Sequence, residues 1–183
     1  RGMAEGEISP DSNARYNLQE AEKNGVKLGV YFFSTAISEE EAVEEADWTA
    51  DFIAQYPITY PVVYDCEGFT DMDSRQYGMS KTERTDIALA FLKRIEQRGY
   101  EGMFYAAKNE LQDETLWETS RIEKHYKIWV AQFPGDADPA VHTSSYTGEH
   151  QMWQYTMEGS VPGISQPVDM NVAYFGYDGV EKP

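Results

Sequence analysis

Apolar runs that alternate with amphipathic helices constrain this chain more than any other feature. Val26–Phe33, the run leading into Asp65, and Gly102–Ala106 read as strands apolar on both faces, apart from Lys27 at the start of the first. Such strands need cover on both sides, which points to a parallel sheet with helical crossovers. The segments between them fit helices. Asn13–Asn24 offers Tyr16, Leu18 and Ala21 to a buried face and stops at Asn24-Gly25. Ser38 N-caps a second helix running to about Gln55, with Glu41 placed for a capping box. Its core candidates are Ala42, Val43, Ala46, Phe52 and Ile53, and Pro57 closes it. Ser80 or Thr82 opens a third helix through Ile87, Leu89, Phe91, Leu92 and Ile95, ended at Gly99.

The second half is poorer in helix. Lys108–Thr119 reads as a short helix or turn, and Lys127–Gln132 as a strand. Phe133–Glu149 is a long Pro, Gly, Ser, Thr and Asp loop with little pattern. His150–Thr156 and Val168–Phe175 are two last strands joined by a Gly/Pro-rich turn. Six strands are therefore expected, where a closed (β/α) barrel has eight. The fold class is α/β, a TIM-like (β/α) barrel with fewer helices than usual and about six of its eight strands. Residues 1–183 form one domain. Residues 1–13 are rich in turn formers, so the absent strands are expected at the front.

The stretch Tyr60-Pro-Val-Val-Tyr-Asp-Cys-Glu-Gly-Phe69 carries the chemistry. Pro61 is tolerated at a strand's first residue. Side chains alternate along a strand, so Asp65 and Glu67 share one face and Cys66 takes the other. Two residues span roughly 6.6 Å, near enough for each acid to feel the other's charge. A buried run that ends in two aligned acids is costly for a core. Catalysis is one reason to accept that cost; the plainer reading leaves both acids in water beyond the strand.

Composition narrows the partners. A formal charge of -17 disfavours nucleic acid and anionic membrane surfaces, both of which require Lys and Arg. Much of that charge lies in Glu39–Asp47 and reads as a solvated surface. Thirteen Tyr and four Trp suit an aromatic-lined site. One cysteine rules out an intrachain disulfide, and Cys66 is expected to face the helices as packing. His125, His142 and His150 lack metal-ligand spacing, and no cofactor is expected. Gly159-Ser-Val-Pro-Gly163 reads as a turn, because no Lys or following helix supports a phosphate loop.

Taken together, the strand ends resemble glycoside hydrolase family 25, the Chalaropsis-type muramidases. Leu28-Gly-Val-Tyr-Phe-Phe33, Pro61-Val-Val-Tyr-Asp-Cys-Glu67, Ile128-Trp-Val-Ala-Gln132, Trp153-Gln-Tyr155 and Val168-Asp-Met-Asn171 occur in the family's order. They cover roughly Tyr16 to Phe175. The resemblance implies cleavage of the β-1,4 bond between N-acetylmuramic acid and N-acetylglucosamine in bacterial peptidoglycan, outside the cell or at the wall. It makes Glu67 the general acid and Asp65 and Asp169 its neighbours, with Asp65 positioning the substrate's N-acetyl group. Tyr31 and Phe33 share an inward face. Tyr105, Trp129, Trp153 and Tyr155 are expected to ring the mouth, Trp129 and Trp153 foremost, since aromatic faces pack on sugars. Asn171 is expected to share a face with Asp169 and orient it.

Two departures stand out. The triplet Tyr31-Phe32-Phe33 has Phe32 where many members carry His, at an outward position. Family members also open with a strand bearing an Asp-Val-Ser-like segment whose Asp joins the site, and neither that strand nor the next is found here. The expectation is that a further segment, or a swapped partner chain, completes the barrel, and that the chain alone is inactive. A non-catalytic wall-binding module, or a barrel glycosidase acting on another polysaccharide, is the alternative reading.

Overall fold

The computed structural model describes residues 1–2, 5–135 and 138–176. Met3 and Ala4 of the opening loop, Asp136 and Ala137 of the long loop, and residues 177–183 lie outside the described residues. The elements run α1 Ala14–Lys23, β1 Leu28–Phe33, α2 Glu39–Ile53, β2 Ile58–Asp65, α3 Lys81–Gln97, β3 Gly102–Ala107, α4 Lys108–Gln112, α5 Thr119–Glu123, β4 Lys127–Ala131, β5 Met152–Gly159 and β6 Val168–Ala173.

The six strands form one sheet in the order β1-β2-β3-β4-β5-β6. The first four pairings are parallel, the first three through helical crossovers and the fourth through the long loop after β4, and β5 and β6 pair antiparallel through their turn. The chain beyond β6 passes under the beginnings of the first strands. Lys27 Nζ donates to the Gly176 carbonyl at 2.5 Å, and the Phe175 ring lies 5.3 Å from Tyr60. The sheet thus curls into a half-barrel whose edge strands, β1 and β6, each pair on one side only among the described residues.

Period-2 alternation divides the sheet cleanly. Phe32, Val62, Tyr64, Cys66, Phe104, Ile128 and Val130 face the helices and pack with Ala42, Ala46, Ile53, Ile87, Phe91 and Leu92 in one core. The Phe32 ring stands 5.9 Å from Phe91 and 6.1 Å from Trp48, which accounts for the outward Phe of the Tyr-Phe-Phe triplet. Cys66 is buried there, and its Sγ donates to Gln76 Oε1 at 3.4 Å.

Helix starts follow their caps, with one shift. Ser80 and Glu83 form the complete capping box of α3. At α2, Ser38 Oγ accepts from the Glu41 amide, but the Glu41 carboxylate turns to the Ile37 amide and to Arg75, so only half a box forms. Tyr16 and Val43, expected toward the core, are exposed instead. α1 covers only the edge strand, so Leu18 alone is fully buried on it.

Candidate active site

β2 ends at Asp65 because its run of Val62, Val63 and Tyr64 gives way to polar residues and then to Gly68, whose φ of 69° turns the chain away. Asp65 is the inward residue at that end. In strand register Phe33, Asp65, Tyr105 and Trp129 are successive partners across β1 to β4. Tyr31, Asp65, Glu67, Tyr105, Trp129, Gln154 and Asp169 line one cavity of about 130 Å³. The three acids expected from the sequence therefore meet, together with Tyr31, Tyr105 and Trp129.

The two acids of β2 sit in different surroundings. Asp65 is 7 % exposed, and its Oδ1 is buried without any hydrogen-bond partner. Burial, then repulsion from Glu67 and Glu110, pushes its carboxyl up to about 7. Glu67 lies beyond the strand and is open to the cavity. Its carboxyl is raised by partial desolvation and then by Asp169. Burial and the same acids also raise the Tyr31 and Tyr105 hydroxyls, which therefore remain protonated donors.

Polar partners hold the walls. Tyr105 donates its hydroxyl to Gln154 Oε1 at 2.8 Å, and the Tyr105 and Trp129 rings meet edge-on at 4.9 Å. The Trp129 indole N–H donates to Asn171 Oδ1 at 3.0 Å. An indole is only a donor, so that bond fixes which way the Asn171 amide points. Among the described residues no group of three or more His, Cys, Asp or Glu is arranged to hold a metal ion.

The sequence model of the glycosyl hydrolases family 25 matches residues 3–164. The chain belongs to glycoside hydrolase family 25. Solved structures similar to it include the modular autolysin LytC of Streptococcus pneumoniae, at 25 % identity and a TM-score of 0.72 over 89 % of this chain and 37 % of LytC. The spore cortex lytic enzyme SleM of Clostridium perfringens is 22 % identical, with a TM-score of 0.72 over 92 % of this chain and 56 % of SleM. The bacterial lysozyme of Streptomyces coelicolor is 22 % identical, with a TM-score of 0.68 over 93 % of this chain and 78 % of that one. LytC has also been solved with a synthetic peptidoglycan ligand. The chain thus spans well under two thirds of LytC and SleM. No curated protein matches it.

Within this family 25 chain, four residues named from the sequence lie elsewhere or act differently. Trp153 is fully buried on the helix side, and its indole donates to the Gln132 carbonyl at 2.9 Å. The pairing of β4 with β5 is the cause: Trp129 faces Met152, so Trp153 is opposite Val130, on the other face. Tyr155 follows Trp153, 5.7 Å away ring to ring, and packs half-buried on the core. Gln154 between them is the cavity residue, which sequence reading missed because alternation sets it opposite Trp153 and Tyr155 without saying which side faces the cavity. Phe33 is beside Asp65 in register but lines a neighbouring groove of about 550 Å³ along the unpaired edge of β1, with Tyr31 as the wall common to both. Asn171 holds Trp129 rather than Asp169.

Proposed function

We propose that this family 25 chain is the catalytic part of a peptidoglycan-cleaving glycosidase that acts on the bond between N-acetylmuramic acid and N-acetylglucosamine. The observation that carries the reading is the convergence of Asp65, Glu67 and Asp169 with Tyr31, Tyr105 and Trp129 on one small cavity. Burial and neighbouring carboxylates favour the protonated form of a carboxyl, as acid catalysis of glycoside cleavage requires. The solved complex of LytC with a peptidoglycan ligand supports the choice of substrate. Such a glycan lies in the cell wall, which makes the place of action extracellular.

In this reading Glu67 is the general acid, because it is open to the cavity where a leaving oxygen would sit, whereas Asp65 is enclosed. Glu67 protonates the leaving oxygen as the bond to the anomeric carbon breaks. The acetamido oxygen of the sugar closes on that carbon, and Asp65 in its ionised form takes the proton of the acetamido nitrogen. Water then opens the ring intermediate, giving its proton to the Glu67 carboxylate, while Asp65 returns its proton to the acetamido nitrogen. Asp169 acts by favouring the protonated form of Glu67. Tyr31 and Trp129 offer ring faces to the sugar. A further strand, from another segment or a second copy, would complete the wall at β1.

The open wall at β1, where Tyr31 is 65 % exposed, favours a second reading as a sugar-binding module. Digestion of purified cell walls separates the two. Muropeptides ending in reducing N-acetylmuramic acid, released by the chain and not by Glu67→Gln, establish the muramidase. Glycan binding without release by either protein establishes the module.

A further inference from the structure

The side-chain amide of Gln154 has a fixed polarity that the chemistry above does not use. Gln154 is buried and lines the cavity from β5. Its partner in register on β4 is Ala131, whose methyl leaves room for the longer side chain to cross toward β3. There its Oε1 accepts the Tyr105 hydroxyl at 2.8 Å. Burial and the neighbouring acids keep that hydroxyl protonated, so it donates, and the amide oxygen is the end it holds. Asn171, opposite Gln154 on β6, is held in the same way, its Oδ1 accepting from the Trp129 indole at 3.0 Å. Two donors on β3 and β4 thus fix the oxygen ends of two amides on β5 and β6. Gln154 Nε2 is left without a hydrogen-bond partner among the described residues, yet it is not sealed into the core.

We propose that Gln154 is a substrate-binding residue whose amide nitrogen donates to an oxygen of the bound sugar, and that Tyr105 is the positioning residue that turns it that way. The cavity also presents Asp65, Glu67 and Asp169, which as carboxylates only accept. Sugar hydroxyls satisfy those, but a ring, ether or glycosidic oxygen carries no proton and is met only by a donor. Trp129 and Tyr105 have their donors committed to the two amides. Of the neutral side chains on the cavity, the Tyr31 hydroxyl and Gln154 Nε2 remain among the described residues, and Tyr31 stands on the open wall at β1. Gln154 is on the enclosed side and is fixed before a sugar arrives, so little side-chain freedom is lost on binding. An amide turned the other way would set its oxygen against the sugar oxygens and repel them.

The inference rests on the reading of this cavity as a glycan site, and half of its test needs no ligand. In side-chain amide NMR of the full chain, Gln154 is expected to be ordered while its Nε2 protons exchange freely with solvent, and Tyr105→Phe is expected to make the amide mobile. Nε2 protons protected by the Tyr105 oxygen would show the amide reversed and overturn the proposal, even if no Gln154 variant folded. The other half is calorimetric titration with the disaccharide of N-acetylglucosamine and N-acetylmuramic acid that a muramidase releases and does not cleave. Gln154→Leu and the closer-shaped Gln154→Glu are each expected to weaken its binding about ten-fold, and Tyr105→Phe about three-fold. On the Gln154→Leu background Tyr105→Phe is expected to cost nothing further, because its effect passes through Gln154. Unchanged affinity in a folded Gln154 variant, or no binding by the unaltered chain, would overturn the proposal; additive losses would overturn the positioning role of Tyr105. Binding that depends on Gln154 without release of muropeptides counts against the proposed function and leaves the role of Gln154 standing. Release of muropeptides with binding indifferent to Gln154 does the reverse.

Discussion

Replacing Asp65 by Asn removes a carboxylate that the fold tolerates poorly, and the gain depends on pH in a defined way. The folded protein holds Asp65 at about 7, whereas an unfolded chain has it near ~3.9. A group raised in the folded state keeps its proton where the unfolded chain has lost it. Wild-type stability therefore falls as pH rises from the unfolded value through the folded one and is level above it. One unit corresponds to ~1.36 kcal/mol, so the full penalty approaches about 4 kcal/mol. Between pH 5.5 and 8.5 roughly 2 kcal/mol of it develops. Asn does not titrate, and any cost of burying its amide is the same at both pH values. Urea unfolding of both proteins at the two pH values is the assay. Asp65→Asn is expected to gain about 2 kcal/mol on wild type from the lower pH to the higher, or roughly 4–8 °C in melting temperature. A difference between the two proteins that does not change with pH would refute the account of Asp65 as a buried, unpaired carboxyl.

The aromatic residues separate in the same kind of experiment. Trp153→Ala is expected to cost about 3–5 kcal/mol of stability, while Trp153→Phe keeps glycan binding; a folded Phe variant that lost binding would return Trp153 to the cavity. Asn171→Ala leaves the Trp129 indole without its acceptor and is expected to weaken glycan affinity about five-fold, by roughly 1 kcal/mol, with little change in melting temperature. Calorimetric titration with a wall fragment checks it, and unchanged affinity would remove Trp129 as a sugar platform.

Local order carried the sequence reading where it succeeded. Six strands, their parallel crossovers and the joint exposure of Asp65 and Glu67 to one side follow from alternation within single segments and from caps such as Ser80 and Glu83. Alternation inside β2 needs no partner strand to be read. The choice between Trp153 and Gln154 is different in kind. It depends on the phase of β5 against β4, across a loop of irregular backbone, and a shift of one residue exchanges the two faces. The same holds for Phe33, which has the inward phase but borders the groove along the unpaired edge of β1. Residue chemistry and period-2 alternation thus assigned the acids their side of the strand. The pairing of distant strands settled which aromatic and amide groups join them, because only contact between segments sets register.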